Sequence, residues 1–240
     1  MKRTVFLCIC AALVLGSVAA CVFVKYCSFD ETDLIRQSAA GAHTLPTAEP
    51  ADSADPYREE RVYWEIEKVQ AAQPVYTLLQ GETIRIESNE VLTIAGKYQQ
   101  EGKSAPYEAA LRFVLEREAL YAAAVDAGYQ VSEADTARHI AELRQSFADA
   151  SNRDVFLAYL ETVGLSEEAY WEQQFPVIQK EDTTAAYIEA VKAEKGLDQF
   201  TSEEDAAQKT AKWQALRARI IQRQLRKDGV RVTALPAFAA

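Results

Sequence analysis

Cysteine is missing from most of this 240-residue chain: Cys8, Cys10, Cys21 and Cys27 all lie in the first 27 residues. The remainder can therefore build neither a disulfide framework nor a thiolate metal site. A cysteine-free body suits an oxidising exterior. Glycine and proline are scarce, at 9 and 7 residues, while Ala, Glu, Gln, Leu and Arg dominate after residue 57. That composition favours helices. Only two histidines occur, His43 and His139, so no His-rich metal spacing exists. A Gly-rich phosphate loop and a nucleophile elbow are also absent from the sequence. No catalytic residue, cofactor or metal is expected. Positive charge is short as well. Residues 1–29 hold Lys2, Arg3 and Lys25 and no acid, which leaves 23 basic against 36 acidic residues beyond them, a net of −13. So acidic a body repels a phosphate backbone, and no nucleic-acid partner is expected.

What is present begins with "MKRTVFLCICAALVLGSVAACVFVK". A short basic start precedes an uncharged run from Thr4 to Val24, long enough to cross a bilayer once. A retained signal anchor would keep Lys2 and Arg3 inside. A cleaved signal would need a shorter apolar core. "SVAAC" resembles the lipobox of bacterial lipoproteins, which makes Cys21 the candidate lipidation site, although Val22, Phe23 and Val24 follow where lipoproteins turn polar. Residues 1–27 are thus read as a signal anchor or a lipoprotein signal. Either route places the rest at the cell membrane, facing out of the cytoplasm. Residues 28–56 contain three prolines and few large apolar groups, and read as a disordered linker with His43 solvated.

The body, 57–240, reads as all-α. Val62, Ile66 and Val69 suggest a helix over 57–72, interrupted by Pro74. "TIRI" alternates like a strand for too few residues to build a sheet. Ser88 is expected to cap a short helix running to Gly102. The strongest helix follows Pro106, with Tyr107, Leu111, Val114, Leu115, Tyr121 and Val125 on one face and Phe113 and Leu120 off it. Gly128 then marks a stop, and Ser132 with Asp135 marks a capped restart bearing Ala137, Ile140, Leu143 and Phe147. "NRDVFLAYLETVG" is a shorter helix that stops at Gly164, and Ser166 caps the next, running to about Lys195. Pro176 is expected to kink or interrupt it. A closing helix, about 203–227, carries Trp213, Leu216, Ile220 and Ile221 and ends at Gly229, after which "VRVTAL" is compatible with a short strand.

The order "AGYQVSEAD", "VFLAYLETVGL", "SEEAYWEQQFPVIQK" resembles the amino-terminal chaperone domain of SurA- and PrsA-type foldases. There a long helix ends in Gly, an "S-E" cap starts the next, a short helix follows, and a second cap opens a long amphipathic arm. The resemblance covers residues 88–195, with the helix near 203–227 as its completion. It implies a multi-helix SurA-N-like domain that holds unfolded or exported polypeptides in transit outside the cytoplasm. Such domains often stand beside a parvulin-type prolyl isomerase domain. Here the 45 residues after Lys195 read as a helix plus a tail, so isomerase activity is not expected.

Seven aromatic residues, Phe113, Tyr121, Phe147, Phe156, Tyr159, Trp171 and Phe175, are the candidate peptide-binding set. Taken singly, each is more readily read as core. As a binding set, some would line a groove between the helix after Pro106 and the one after Ser166, where non-directional apolar burial accepts varied sequences. At about 25 cal/mol per Å², such burial gives weak, reversible binding once ordering costs are met. His139, between Arg138 and Ile140, is expected at or near the surface without a role as a base. Glu167–Glu168 and Glu203–Glu204 sit at helix starts, where they complement the helix dipole. The sequence is thus read as a membrane-tethered, extracytoplasmic, chaperone-like module without catalysis. The alternatives are a structural or assembly protein with one dedicated membrane-associated partner, or an accessory of a prolyl isomerase-related foldase. Oligomeric state is left open.

Overall fold

A computed structural model describes Ile35, Ile66 and residues 74–148 and 150–233. Cys21, His43 and the Thr4–Val24 run lie outside the described residues, as does the 57–72 segment apart from Ile66, which is helical and buried. Of the expected linker only Ile35 is described, and there the chain is helical and buried in the main core. No helix among the described residues is long and apolar enough to cross a membrane.

The expectation of a purely helical body needs one correction. Strands β1 (Thr77–Gln80) and β2 (Arg85–Glu87) form an antiparallel hairpin, and β3 (Arg231–Val232) pairs antiparallel with the other edge of β1. Leu79 stands opposite both Ile86 and Val232. Strands this short do not persist alone. They persist here because Leu78, Leu79, Ile84 and Ile86 are fully buried, and because a third strand arrives from the far end of the chain.

Helix α1 (Ser88–Gln100) follows β2 directly. Ser88 does not cap it, contrary to expectation. Its Oγ accepts the Tyr76 N–H at 2.9 Å and its own N–H donates to the Tyr76 carbonyl at 2.8 Å, so the residue ties the helix start back to β1. Helix α2 (Pro106–Asp126) packs against α1, β2 and two later helices, α5 (Glu167–Glu194) and α6 (Glu203–Asp228). Enclosure on several sides explains why Leu120, off the expected face, is buried, while Val125, on that face near the helix end, is exposed. Arg117 pairs with Glu90 at 2.5 Å and Glu118 at 2.7 Å, and Lys180 pairs with Glu118 at 2.5 Å, so the buried Glu118 links α2 to α5 while Arg117 reaches α1.

Helices α3 (Glu133–Ala148) and α4 (Arg153–Thr162) stand apart from this main core and pack on α5. Helix α5 therefore serves two cores. Its first half gives Trp171, Phe175 and Ile178 to a small cluster with Ile140, Leu143, Phe147 and Tyr170. Its second half gives Tyr187, Ile188 and Val191 to the main core. At 3.6 residues per turn, Trp171, Phe175 and Ile178 lie roughly 160° around the axis from Thr183, Tyr187 and Val191. The expected amphipathic arm is in fact a helix whose buried face changes sides midway. Pro176 does not interrupt it. It is exposed, so water can satisfy the Glu172 carbonyl that loses its donor.

Candidate functional site

The lobe formed by α3, α4 and the first half of α5 is built from local turn chemistry upward. Gly128, at φ +83°, ends α2 in the left-handed region that a side chain resists. The Tyr129 N–H reaches the Ala124 carbonyl at 3.0 Å and the Gly128 N–H reaches that of Val125 at 2.9 Å, a Schellman closure. Ser132 starts α3: its Oγ accepts the Asp135 N–H at 3.1 Å and donates to the Asp135 carboxylate at 2.7 Å. Hydrogen bonds from Ser132 first, and from Arg138 next, hold the Asp135 carboxyl below its ordinary range. Between the two helices the chain is pinned to α5. The Val131 N–H donates to Thr183 Oγ1 and Gln179 Nε2 donates to the Val131 carbonyl, both at 3.1 Å. Gly164, at φ +69°, repeats the stop after α4, and Ser166 Oγ accepts the Ala169 N–H at 3.1 Å to open α5.

These joints bring four rings from three helices into a closed cycle. Phe147 of α3 meets Phe156 of α4 at 4.6 Å between centroids, and Phe156 meets Tyr170 of α5 at 4.9 Å. Tyr170 meets Trp171 at 5.3 Å, and Trp171 returns to Phe147 at 6.4 Å. All four contacts are edge-to-face, the geometry that aromatic quadrupoles favour. Ion pairs fasten the rim. Arg144 of α3 reaches Glu168 at 2.7 Å, and Arg153 of α4 reaches Glu167 at 2.9 Å. The Arg144 hydrogen bond holds the Glu168 carboxyl below its usual range. His139 Nδ1 lies 3.0 Å from both carboxylate oxygens of Asp182. This half-buried histidine thus ties α3 to α5.

The seven candidate aromatics do not share one wall. Phe113 packs on the main core, and Tyr121 lies under the Lys180 ammonium at 5.0 Å. Phe147, Phe156 and Trp171 belong to the ring cycle, with Phe175 packed in the same cluster and Tyr159 half-buried on α4. Phe156 and Trp171 are buried within the lobe, whereas Phe147, Tyr159 and Phe175 are partly open. Two residues that sequence reasoning passed over are more exposed than any of the seven: Leu157 of α4 and Val177 of α5. The available signal was positional. Leu157 falls beside the buried Phe156–Leu160 pair and off its face, and Val177 follows the exposed Pro176.

The lobe also contains two buried donors without an acceptor among the described residues, Trp171 Nε1 and Arg153 Nη1. Such groups are uncommon in well-packed interiors. No group of three His, Cys, Asp or Glu side chains among the described residues could hold a metal ion. Comparisons of the chain with protein-family models, curated proteins and solved structures return no match.

Proposed function

We propose that this chain is a membrane-tethered, extracytoplasmic, chaperone-like module that holds unfolded or exported polypeptides without chemistry, and that the α3–α4–α5 lobe is its client-binding part. The observation that carries the reading is the second aromatic cluster, separate from the main core, in a lobe whose helices α4 and α5 also expose Leu157 and Val177. Capped joints on either side of α3 and α4 fix the lobe before any client arrives. Half-buried Phe147, Tyr159 and Phe175 supply apolar contact that does not depend on client sequence. Contact of this size gives weak binding, which lets a client leave. The acidic surface favours neutral or basic clients. An anchor through Thr4–Val24, or a lipid on Cys21, would keep the module at the outer face of the membrane.

The test is suppression of aggregation of several unrelated denatured proteins by the full chain in nanodiscs. Suppression that weakens several-fold in a Leu157→Ser/Val177→Ser double variant supports the reading. A chain that ignores all of them but co-purifies with one membrane protein is instead an assembly subunit. Measurable prolyl isomerisation would overturn the assignment of a non-catalytic role.

A further inference from the structure

Charge in this chain is polarised along one helix. Residues 207–233 hold Lys209, Lys212, Arg217, Arg219, Arg223, Arg226, Lys227 and Arg231 against the single acid Asp228, a net of +7. Since the whole chain is −10, the rest carries −17. Some of these cations are taken: Arg217 pairs with Glu116 at 2.5 Å, Lys227 with Asp126 at 2.6 Å and Lys209 with Asp205 at 2.9 Å. Lys212, Arg219 and Arg223 are exposed, as is Arg226, which makes a contact of its own. Neither Arg219 nor Arg223 makes an ion pair with a described residue. At 3.6 residues per turn the four fall within roughly 60° of one another and span about 21 Å of α6. The buried Trp213, Ile220, Ile221, Gln224 and Leu225 occupy the opposite side.

We infer that this stripe is a docking surface for an anionic lipid bilayer, which turns α6 toward the membrane. This rests on the reading that the amino-terminal segment holds the chain at a membrane. The exposed residues beside the cations, Gln208, Ala211 and Ala215, are small or uncharged. Among the described residues such a face offers no exposed large apolar side chain to anchor one specific protein partner, and its charge complements a plane of phosphate headgroups. The −17 elsewhere repels the same plane, so attraction and repulsion select one orientation.

The experiment is arginine-selective footprinting of the full chain in nanodiscs of phosphatidylglycerol or of phosphatidylcholine, read by mass spectrometry. Arg219 and Arg223 are expected to be modified about fivefold less in the anionic discs, with reactivity restored at high salt. Arg138, ion-paired with Asp135 on α3, should react alike in both. In an Arg219→Glu/Arg223→Glu variant, which alters only exposed positions, Arg226 should lose any dependence on lipid charge. Equal modification in the two lipids overturns the inference. Protection that is equally strong in phosphatidylcholine also overturns it, and assigns the stripe to a protein contact. A chain that stays with neither bilayer overturns the membrane reading and this inference together. If Arg219 and Arg223 respond to lipid charge while the chain fails to suppress aggregation, the docking surface stands and the chaperone reading falls.

Discussion

A Cβ atom added to Gly81 would stand 2.0 Å from Oδ2 of Asp228. The contact closes a joint across 147 residues of sequence, between the β1–β2 turn and the last residue of α6. Asp228 accepts the Thr83 N–H and the Ile84 N–H, each at 2.9 Å, and the Thr83 hydroxyl at 2.5 Å, while its carbonyl accepts the Glu82 N–H at 3.0 Å. A buried carboxylate can be kept where backbone donors surround it in this way. Gly81→Ala should therefore lower stability by about 1–3 kcal/mol, as overpacking does. Asp228→Ala should cost at least as much, because two backbone donors lose their acceptor. Urea denaturation of both variants checks this; a wild-type midpoint for Gly81→Ala would mean the joint opens freely.

The ring cycle should report whether the lobe opens separately from the main core. Phe156→Ala removes the member contributed by α4 and should cost about 3–5 kcal/mol locally. Hydrogen exchange should then accelerate across α3 and α4, while α1, α2 and α6 keep their protection. Uniform acceleration through all helices would show a single cooperative unit.

Trp171 offers a sharper contrast. Its indole N–H is buried without an acceptor among the described residues, so Trp171→Phe removes an unpaired donor along with some ring area. The two effects oppose, and the variant should lie within about 1 kcal/mol of wild type in thermal unfolding. Trp171→Ala, which empties the site, should lose about 3–5 kcal/mol.

Acid should loosen the helix ends. Asp126, Asp135, Glu168 and Asp205 are all held below their ordinary values, first by hydrogen bonds from Lys227, Ser132, Arg144 and Lys209 respectively. A carboxyl lowered by folding stabilises the native state above its unfolded value. That stability is lost as pH falls through the ordinary 3.8 of Asp and 4.5 of Glu toward the folded value. Melting temperature should therefore decline below about pH 4.5, less steeply in Arg144→Gln and less steeply at high salt, because Asp126, Asp135 and Glu168 are exposed. A melting temperature flat down to pH 2 would show that the contacts contribute nothing.

The helices were legible because their ends are written locally. Gly128, Gly164 and Gly229 stop them, and Ser132, Ser166 and Ser202 start them, each through bonds spanning at most five residues. Distant partners carry no such mark. Ser88 resembled a cap and instead bonds to Tyr76, and the Asp182 that engages His139 lies 43 positions away. Of the seven candidate aromatics, the sequence identified the rings but not their grouping, since apolar spacing marks a buried face without naming what buries it.

Composition and local turn chemistry alone determined that this body is mostly helical, where most of its described helices begin and end, and that its charge is unbalanced. Tertiary structure decided the rest: that "TIRI" joins a sheet by pairing with β1, which meets β3 about 150 residues on, that α5 buries opposite sides in its two halves, and that Lys212, Arg219 and Arg223 of α6 are left facing out. A hydrogen bond within one turn is specified by neighbouring residues. A contact between remote segments depends on which apolar faces compete successfully for the same interior, and that competition is settled only when the whole chain packs.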